Sequence, residues 1–210
     1  MDKRTFLMAG AAALVSACRA ELHSTTANEQ SAPDPDKPLH LKLAHAAEAR
    51  LSKRVVYDPA YIALDYPGGD PPDDRGVCTD VVVRAYRGVG VDLQRSVHED
   101  MTDHFSDYPA FWGLSRPDAN IDHRRVPNLE TYFSRQGALL GANVPEDDLQ
   151  PGDIVSWRVD RLPHIAVASS RRGGAGRVRF VHNIGAGPQL DACYDAWPRT
   201  GVFRYRPWLV

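Results

Sequence analysis

Residues 74–86 have the sequence DRGVCTDVVVRAY, which places a cysteine where a turn becomes a helix. The preceding residues 66–73 read YPGGDPPD, and their prolines and glycines exclude regular structure. After Cys78, apolar residues recur at helical spacing until Gly88 and Gly90 offer a stop. We therefore expect Cys78 in a first helical turn, where free N–H groups and the helix dipole lower a thiol pKa. The pattern also fits a small buried cysteine that packs a helix against a sheet.

The composition bounds the class of protein. The chain has 210 residues, 43% of them hydrophobic, which suffices for one domain with its own core. A formal net charge of -2 argues against nucleic-acid binding, because no excess of Lys and Arg is available for phosphates. The cysteines Cys18, Cys78 and Cys193 form no CxxC pair, although an oxidising setting would permit a Cys78–Cys193 disulfide. We expect no cofactor and no metal, since the sequence has no HExxH motif; it leaves the oligomeric state open.

The N-terminus has the features of an export signal. Lys3 and Arg4 precede an apolar run over residues 6–15 that is too short for a permanent membrane span. The sequence VSAC ending at Cys18 resembles a bacterial lipobox, which implies that Cys18 is lipidated and anchors an exported, periplasmic protein to the membrane. We predict a lipoprotein-type signal over residues 1–18, a disordered tether over 19–39 and a single domain over 40–210. The alternative is an ordinary cleaved signal in which Cys18 has no role.

The order of the patterns predicts an α+β fold. Helical spacing extends over residues 40–55 and 93–105, and Pro127 suits the first turn of a helix that ends near Arg135. Antiparallel strands are predicted over residues 153–157, 164–169, 178–182 and 201–205. Helices followed by strands indicate helices packed on one face of a sheet. The polar segment over residues 112–125 has no period, and we expect it to border a functional cleft.

Two histidines are suitably placed to serve a cysteine nucleophile, which needs a general base and a group that orients that base. His164 begins one predicted strand and His182 ends the next, so the backbone could hold either imidazole opposite a helix N-terminus. Each also fits, taken singly, a hydrogen-bonded structural histidine.

Together these motifs resemble the papain-like cell-wall peptidases of the NlpC and CHAP type. The resemblance rests on Cys78 at a helix start, PGDIV at residues 151–155, PHIAV at 163–167 and FVHN at 180–183. More narrowly, DRGVCTD with PGGD, VHEDM and RPDANIDHRRVPN resembles a bacterial branch of that superfamily known as a domain of unknown function. The similarity extends over about residues 45–206.

The resemblance implies a papain-like fold and an exported hydrolase that cleaves amide bonds in peptidoglycan peptides. It implies that Cys78 is the nucleophile, that His164 is the general base and that His182 orients His164. The further candidates for the third position or for substrate binding are Asn183, Asp80, Arg116, Arg124 and Arg125.

Alternatives remain open at several of these positions. Asp80 also fits a favourable first-turn carboxylate, and the arginines also fit a solvated charged loop. Residues 77–80 read VCTD where the familiar peptidases have DCSG. This departure leaves open a non-catalytic cell-envelope binding module on the same scaffold, or a thiol acyltransferase.

Overall fold

The structure, a computed structural model, describes residues 36–209. Its α-helices are α1 (Leu39–Glu48), α2 (Cys78–Arg87), α3 (Leu93–His104) and α4 (Val126–Arg135). Its strands are β1 (Val56–Tyr57), β2 (Arg75–Gly76), β3 (Leu139–Gly141), β4 (Ile154–Val159), β5 (Leu162–Arg172), β6 (Val178–Asn183), β7 (Pro188–Asp191) and β8 (Arg199–Phe203). The predicted signal, the lipobox Cys18 and most of the predicted tether lie outside the described residues. No helix within residues 36–209 is long and apolar enough to cross a bilayer.

One six-stranded sheet organises the domain, in the order β3-β8-β4-β5-β6-β7 with every neighbouring pair antiparallel. The short strands β1 and β2 form a separate parallel pair. Helices packed on an antiparallel sheet confirm the predicted α+β class. The four predicted strands correspond to β4, β5, β6 and β8, whereas the sequence did not predict β1, β2, β3 or β7. These four are only two to four residues long, too short for a clear alternating pattern.

The sheet separates two hydrophobic clusters, because successive side chains of a strand point to opposite faces. On β5, Ile165 and Val167 pack into the cluster that contains the buried faces of α2 and α4. The alternate residues Ala166 and Ala168 pack into a second cluster on the other face, around Trp157. The first cluster therefore fixes α2, and with it Cys78, against β5.

The predicted helices over residues 93–105 and from Pro127 to Arg135 are confirmed by α3 and α4. The predicted helix over residues 40–55 is wrong at its end, since α1 stops at Glu48 and a single 3-10 turn follows over Ala49–Ser52. The chain then becomes extended, and Val56 pairs with Arg75. The β-branched residues 55 and 56 favour this extended pairing over further helix.

Candidate active site

The helix α2 begins at Cys78, as the sequence predicts. The preceding residue, Val77, donates its N–H to Asp80 Oδ2 over 2.6 Å and accepts the N–H of Asp80 at its carbonyl over 3.2 Å. The Asp80 carboxylate thus satisfies a backbone donor that the helix itself leaves free. Gly76 has a φ of 154°, and a Cβ there would lie 2.9 Å from Asp80 Oδ2. Glycine at this position therefore allows the carboxylate to close the turn.

The thiol of Cys78 is buried, with 4% of the residue exposed. Burial raises its pKa to about 12, and the neighbouring Asp80 carboxylate adds to the rise. The N–H groups of Ile165, Thr79 and Cys78 itself act in the opposite direction, but they do not outweigh the loss of water. The expectation of a lowered pKa is therefore wrong: the thiol is neutral because desolvation dominates over the helix N-terminus.

Two histidines and an aspartate form a hydrogen-bonded chain beside β5. His164 Nε2 lies 2.9 Å from His182 Nδ1, and His182 Nε2 lies 3.0 Å from Asp191 Oδ2. A carboxylate only accepts, so His182 carries its proton on Nε2 and accepts at Nδ1. His164 must then carry its proton on Nε2, which leaves Nδ1 as the unprotonated nitrogen. The chain thus fixes the tautomer of His164.

Aromatic side chains surround this chain of hydrogen bonds. His164 lies opposite Trp157 in the β4–β5 register, and its ring is also 6.0 Å from that of Trp197. Burial, followed by the charge of His182, lowers the pKa of His164 to about 3. Burial also lowers the pKa of His182, with Asp191 opposing the shift. Both imidazoles are therefore neutral at physiological pH.

The turn before Cys78 is attached to both histidine-bearing strands. The Cys78 sulfur lies beside the N–H of Ile165, the residue that follows His164. Asn183, which follows His182, donates from Nδ2 to the carbonyl of Gly76 over 3.3 Å. Side chains alternate along a strand, so these two anchoring residues face α2 while the histidine rings lie on the other face. Within residues 36–209 no hydrogen bond joins the Cys78 sulfur to the His164 ring.

Asn183 does not occupy the third position that the sequence left open to it. His182 contacts His164 directly, whereas the Asn183 side chain binds Gly76 and accepts the N–H of Gly185 at Oδ1. Asp191 is the third member of the hydrogen-bonded chain, and the sequence analysis did not identify it. The short edge strand β7, which brings it to His182, has no pattern of its own that would reveal it.

Tyr57 lies near the sulfur of Cys78. Burial, and then the proximity of Cys78 and Asp80, raise its pKa to about 12. The pairing of β1 with β2 carries Tyr57 to this position opposite Gly76. Its phenol therefore stays protonated and can donate a hydrogen bond.

Asp80 and Arg124 form a buried ion pair. Arg124 Nε lies 2.9 Å from Asp80 Oδ1 and its Nη2 lies 3.0 Å from Oδ2, and the two side chains are 1% and 2% exposed. Arg124 also donates to the carbonyls of Ala60 and Asp58, and its own carbonyl accepts from Thr79. The first-turn alternative for Asp80 is therefore correct, and neither side chain is available to a substrate. The solvated-loop alternative is wrong for Arg124.

Arg125 and Arg116 differ in their surroundings. The Arg125 guanidinium lies 4.0 Å from the centre of the Trp112 ring, and its Nη1 donates to Asp122 Oδ1 over 3.0 Å. Arg116 is exposed in the polar segment. That segment is not structureless throughout, because Asp122–Arg124 forms a buried 3-10 helix. It is attached to the first turn of α2 by Arg124, so it adjoins the cysteine turn.

Cys193 and Cys78 are both free thiols and lie in the two different hydrophobic clusters. The sheet thus separates them, and the structure contains no Cys78–Cys193 disulfide. Among residues 36–209, no group of three or more His, Cys, Asp or Glu side chains is arranged to hold a metal ion.

Similarity to known proteins covers most of the domain. A family profile described as a domain of unknown function, DUF1287, matches residues 44–205. The chain is 50% identical over 167 residues to the uncharacterized protein YijF of Escherichia coli (strain K12), an alignment that covers 79% of this chain and 82% of that protein. A stretch of 69 residues is 35% identical to the DNA translocase FtsK of Corynebacterium efficiens, and it covers 28% of this chain and 7% of that protein.

Proposed function

The chain belongs to the DUF1287 family, and we propose that it is a cysteine hydrolase of amide bonds whose fold and site are of the papain-like, NlpC and CHAP type. Cys78 is the nucleophile, His164 the general base and His182 the orienting group. The observation that carries the proposal is the hydrogen-bonded chain from Asp191 through His182 to His164. It leaves Nδ1 of His164 unprotonated, as a general base requires.

The proposed reaction starts from a neutral thiol and a neutral imidazole. The His164 ring packs among Trp157 and Trp197 on the face of β5 opposite the sulfur, so the reaction requires a rearrangement in the substrate complex that brings the two groups together; His164 Nδ1 then takes the thiol proton. The sulfur adds to the amide carbonyl, and His164 then gives the proton to the leaving amine, so that a thioester remains on Cys78. Water hydrolyses the thioester and restores the thiol. The Cys78 N–H and the Tyr57 hydroxyl are the proposed donors to the oxyanion.

We further propose peptidoglycan peptides as the substrate class and the cell envelope as the location. The support is the resemblance of residues 45–206 to cell-wall peptidases, together with the basic and apolar N-terminus that ends in the lipobox-like VSAC. A lipid on Cys18 would hold the exported domain at the periplasmic membrane surface, close to its substrate. Nucleic acid is not a proposed partner.

The test measures soluble peptides released from purified sacculi under reducing conditions. Wild type should release them, and Cys78→Ser and His164→Ala should not. Cys193→Ser is the matched control, because it removes the other buried free thiol from the opposite cluster; it should keep full activity. Equal release by wild type and Cys78→Ser, or none by either, would count against the proposal.

The burial of Cys78 favours a second candidate, a cell-envelope module that binds wall peptides without cleaving them. A thiol whose pKa is raised to about 12 carries almost no thiolate at neutral pH. Iodoacetamide labelling separates the two candidates. A hydrolase should label at Cys78 faster than at Cys193, and His164→Ala should remove the difference, whereas a binding module should show no dependence on His164. Mass spectrometry of the products in the presence of an added amine separates hydrolysis from acyl transfer.

A further inference from the structure

A cavity of about 110 Å³ lies between the end of α3, the segment that follows it and the start of α4. Its wall is apolar, with Met101, Phe105 and Tyr108 on one side. Trp112 and Leu114 also line it and are each 39% exposed, so they form a rim that is open to solvent. The volume exceeds the roughly 30 Å³ that one water occupies in the liquid, and it admits a small organic group.

Asn128, which lines the cavity, carries a hydrogen-bond acceptor without a partner. Asn128 is 1% exposed, and its Oδ1 is buried without a hydrogen bond. Its Nδ2 donates to the carbonyl of Asp122 over 3.1 Å and approaches Asp122 Oδ1 and the Met101 sulfur. These neighbours accept hydrogen bonds, so the amide orientation is fixed with Oδ1 as the free atom. A buried carbonyl of this kind favours a ligand that brings an N–H.

The charges beside Asn128 balance each other. Asp122 Oδ1 accepts from Arg125 Nη1 over 3.0 Å, and Asp122 Oδ2 accepts the N–H of Asp118. The guanidinium also lies over the Trp112 ring, which holds it at the rim of the cavity. A guanidinium has five N–H donors, and the pair with Asp122 uses one of them. The cavity therefore offers a neutral site with one acceptor, further donors and an apolar wall.

We propose that this cavity binds a secondary amide that carries a small alkyl group, as in an acetamido group. A small shift of the lining exposes Asn128 Oδ1, to which the amide N–H donates; the amide carbonyl accepts from Arg125, and the methyl group packs on the apolar wall. A balanced charge pair disfavours a free ammonium or carboxylate there, because either would meet a like charge. Two sources share this chemistry: the N-acetyl group of an amino sugar and the acylated amine of a short peptide. The site requires no thiol chemistry and goes beyond the proposed hydrolysis.

The test uses the full chain with Cys78→Ser, so that no probe is consumed, and follows the indole N–H of Trp112 by ¹H–¹⁵N NMR. The probes are N,N′-diacetylchitobiose and N-acetyl-alanine methylamide, each added at millimolar concentration. Cellobiose is the matched control, because it is a neutral disaccharide without an acetamido group. At least one probe should shift the Trp112 signal in a saturable manner, while cellobiose leaves it unchanged. The probe that binds identifies the source.

Variants then test the geometry. Asn128→Leu should weaken binding by about tenfold, which corresponds to the loss of one hydrogen bond to a buried acceptor. Trp112→Ala changes an exposed rim residue, so it tests the site without threatening the fold. Because this variant lacks the Trp112 indole signal, probe binding to it is followed by saturation transfer to the probe. Leu162→Ala, at an exposed position on β5, is the control and should bind like wild type. The proposal is overturned if neither probe binds, if cellobiose binds as well as the probes, or if both cavity variants keep the wild-type affinity. Each of these results is independent of the outcome with sacculi.

Discussion

Replacing Arg124 by Met should strongly destabilise the domain, since it leaves Asp80 as a buried carboxylate without its cation. The ion pair is bidentate, at 2.9 and 3.0 Å, and the Arg124 and Asp80 side chains are almost completely buried. After the substitution, the Asp80 carboxylate keeps its hydrogen bond from the N–H of Val77. The carbonyls of Ala60 and Asp58 lose their guanidinium donor as well.

The magnitude follows from the burial of the pair. Removing one partner of a buried ion pair costs about 3–5 kcal/mol of unfolding free energy. In a chain of 150–250 residues each kcal/mol shifts the melting temperature by about 2–4 °C, so the expected loss is roughly 6–20 °C. The double variant Asp80→Asn with Arg124→Met removes both charges and should lose less than the sum of the single variants.

Urea unfolding followed by circular dichroism under reducing conditions measures these free energies. Arg95→Met is the matched control, because Arg95 pairs with Glu99 at the exposed surface of α3, with both side chains more than half exposed; its midpoint should stay close to that of wild type. If Arg124→Met also unfolds near the wild-type midpoint, or if the two single effects simply add, the ion pair does not hold the start of α2 as we infer.

Two further predictions concern protonation. Burial lowers the pKa of His123 to about 4 and that of His164 to about 3, so between pH 6.5 and 4 the unfolded chain binds protons that the folded domain does not. As the pH falls, stability should therefore decrease by up to about 1.4 kcal/mol per pH unit for each of these histidines, and His123→Leu should remove one such contribution in urea titrations at pH 7 and 5; an unchanged slope would contradict it. Asp191→Leu should remove the acceptor that holds the His182 proton on Nε2, so that the opposite tautomers of His182 and His164 become populated, which ¹⁵N NMR of labelled imidazoles measures; unchanged tautomers would show that Asp191 does not set them.

The start of α2 could be predicted because its causes are local. Gly76, Cys78 and Asp80 lie within five residues, and the cap, the turn and the apolar period that follows act over that distance. The strands that carry His164 and His182 were predictable for the same reason, since β-branched runs between turn residues indicate strands. The sequence therefore determined which elements carry the cysteine and the histidines.

The tertiary structure decided what those side chains can do. The thiol pKa rises because α2 is buried against β5, and no local pattern reports how much water that packing removes. Arg124 is a structural partner of Asp80 across a separation of 44 residues, and Asp191 reaches His182 only through the pairing of β6 with β7. These contacts join residues distant in the sequence, so the charge, tautomer and accessibility of the site depend on how the elements pack.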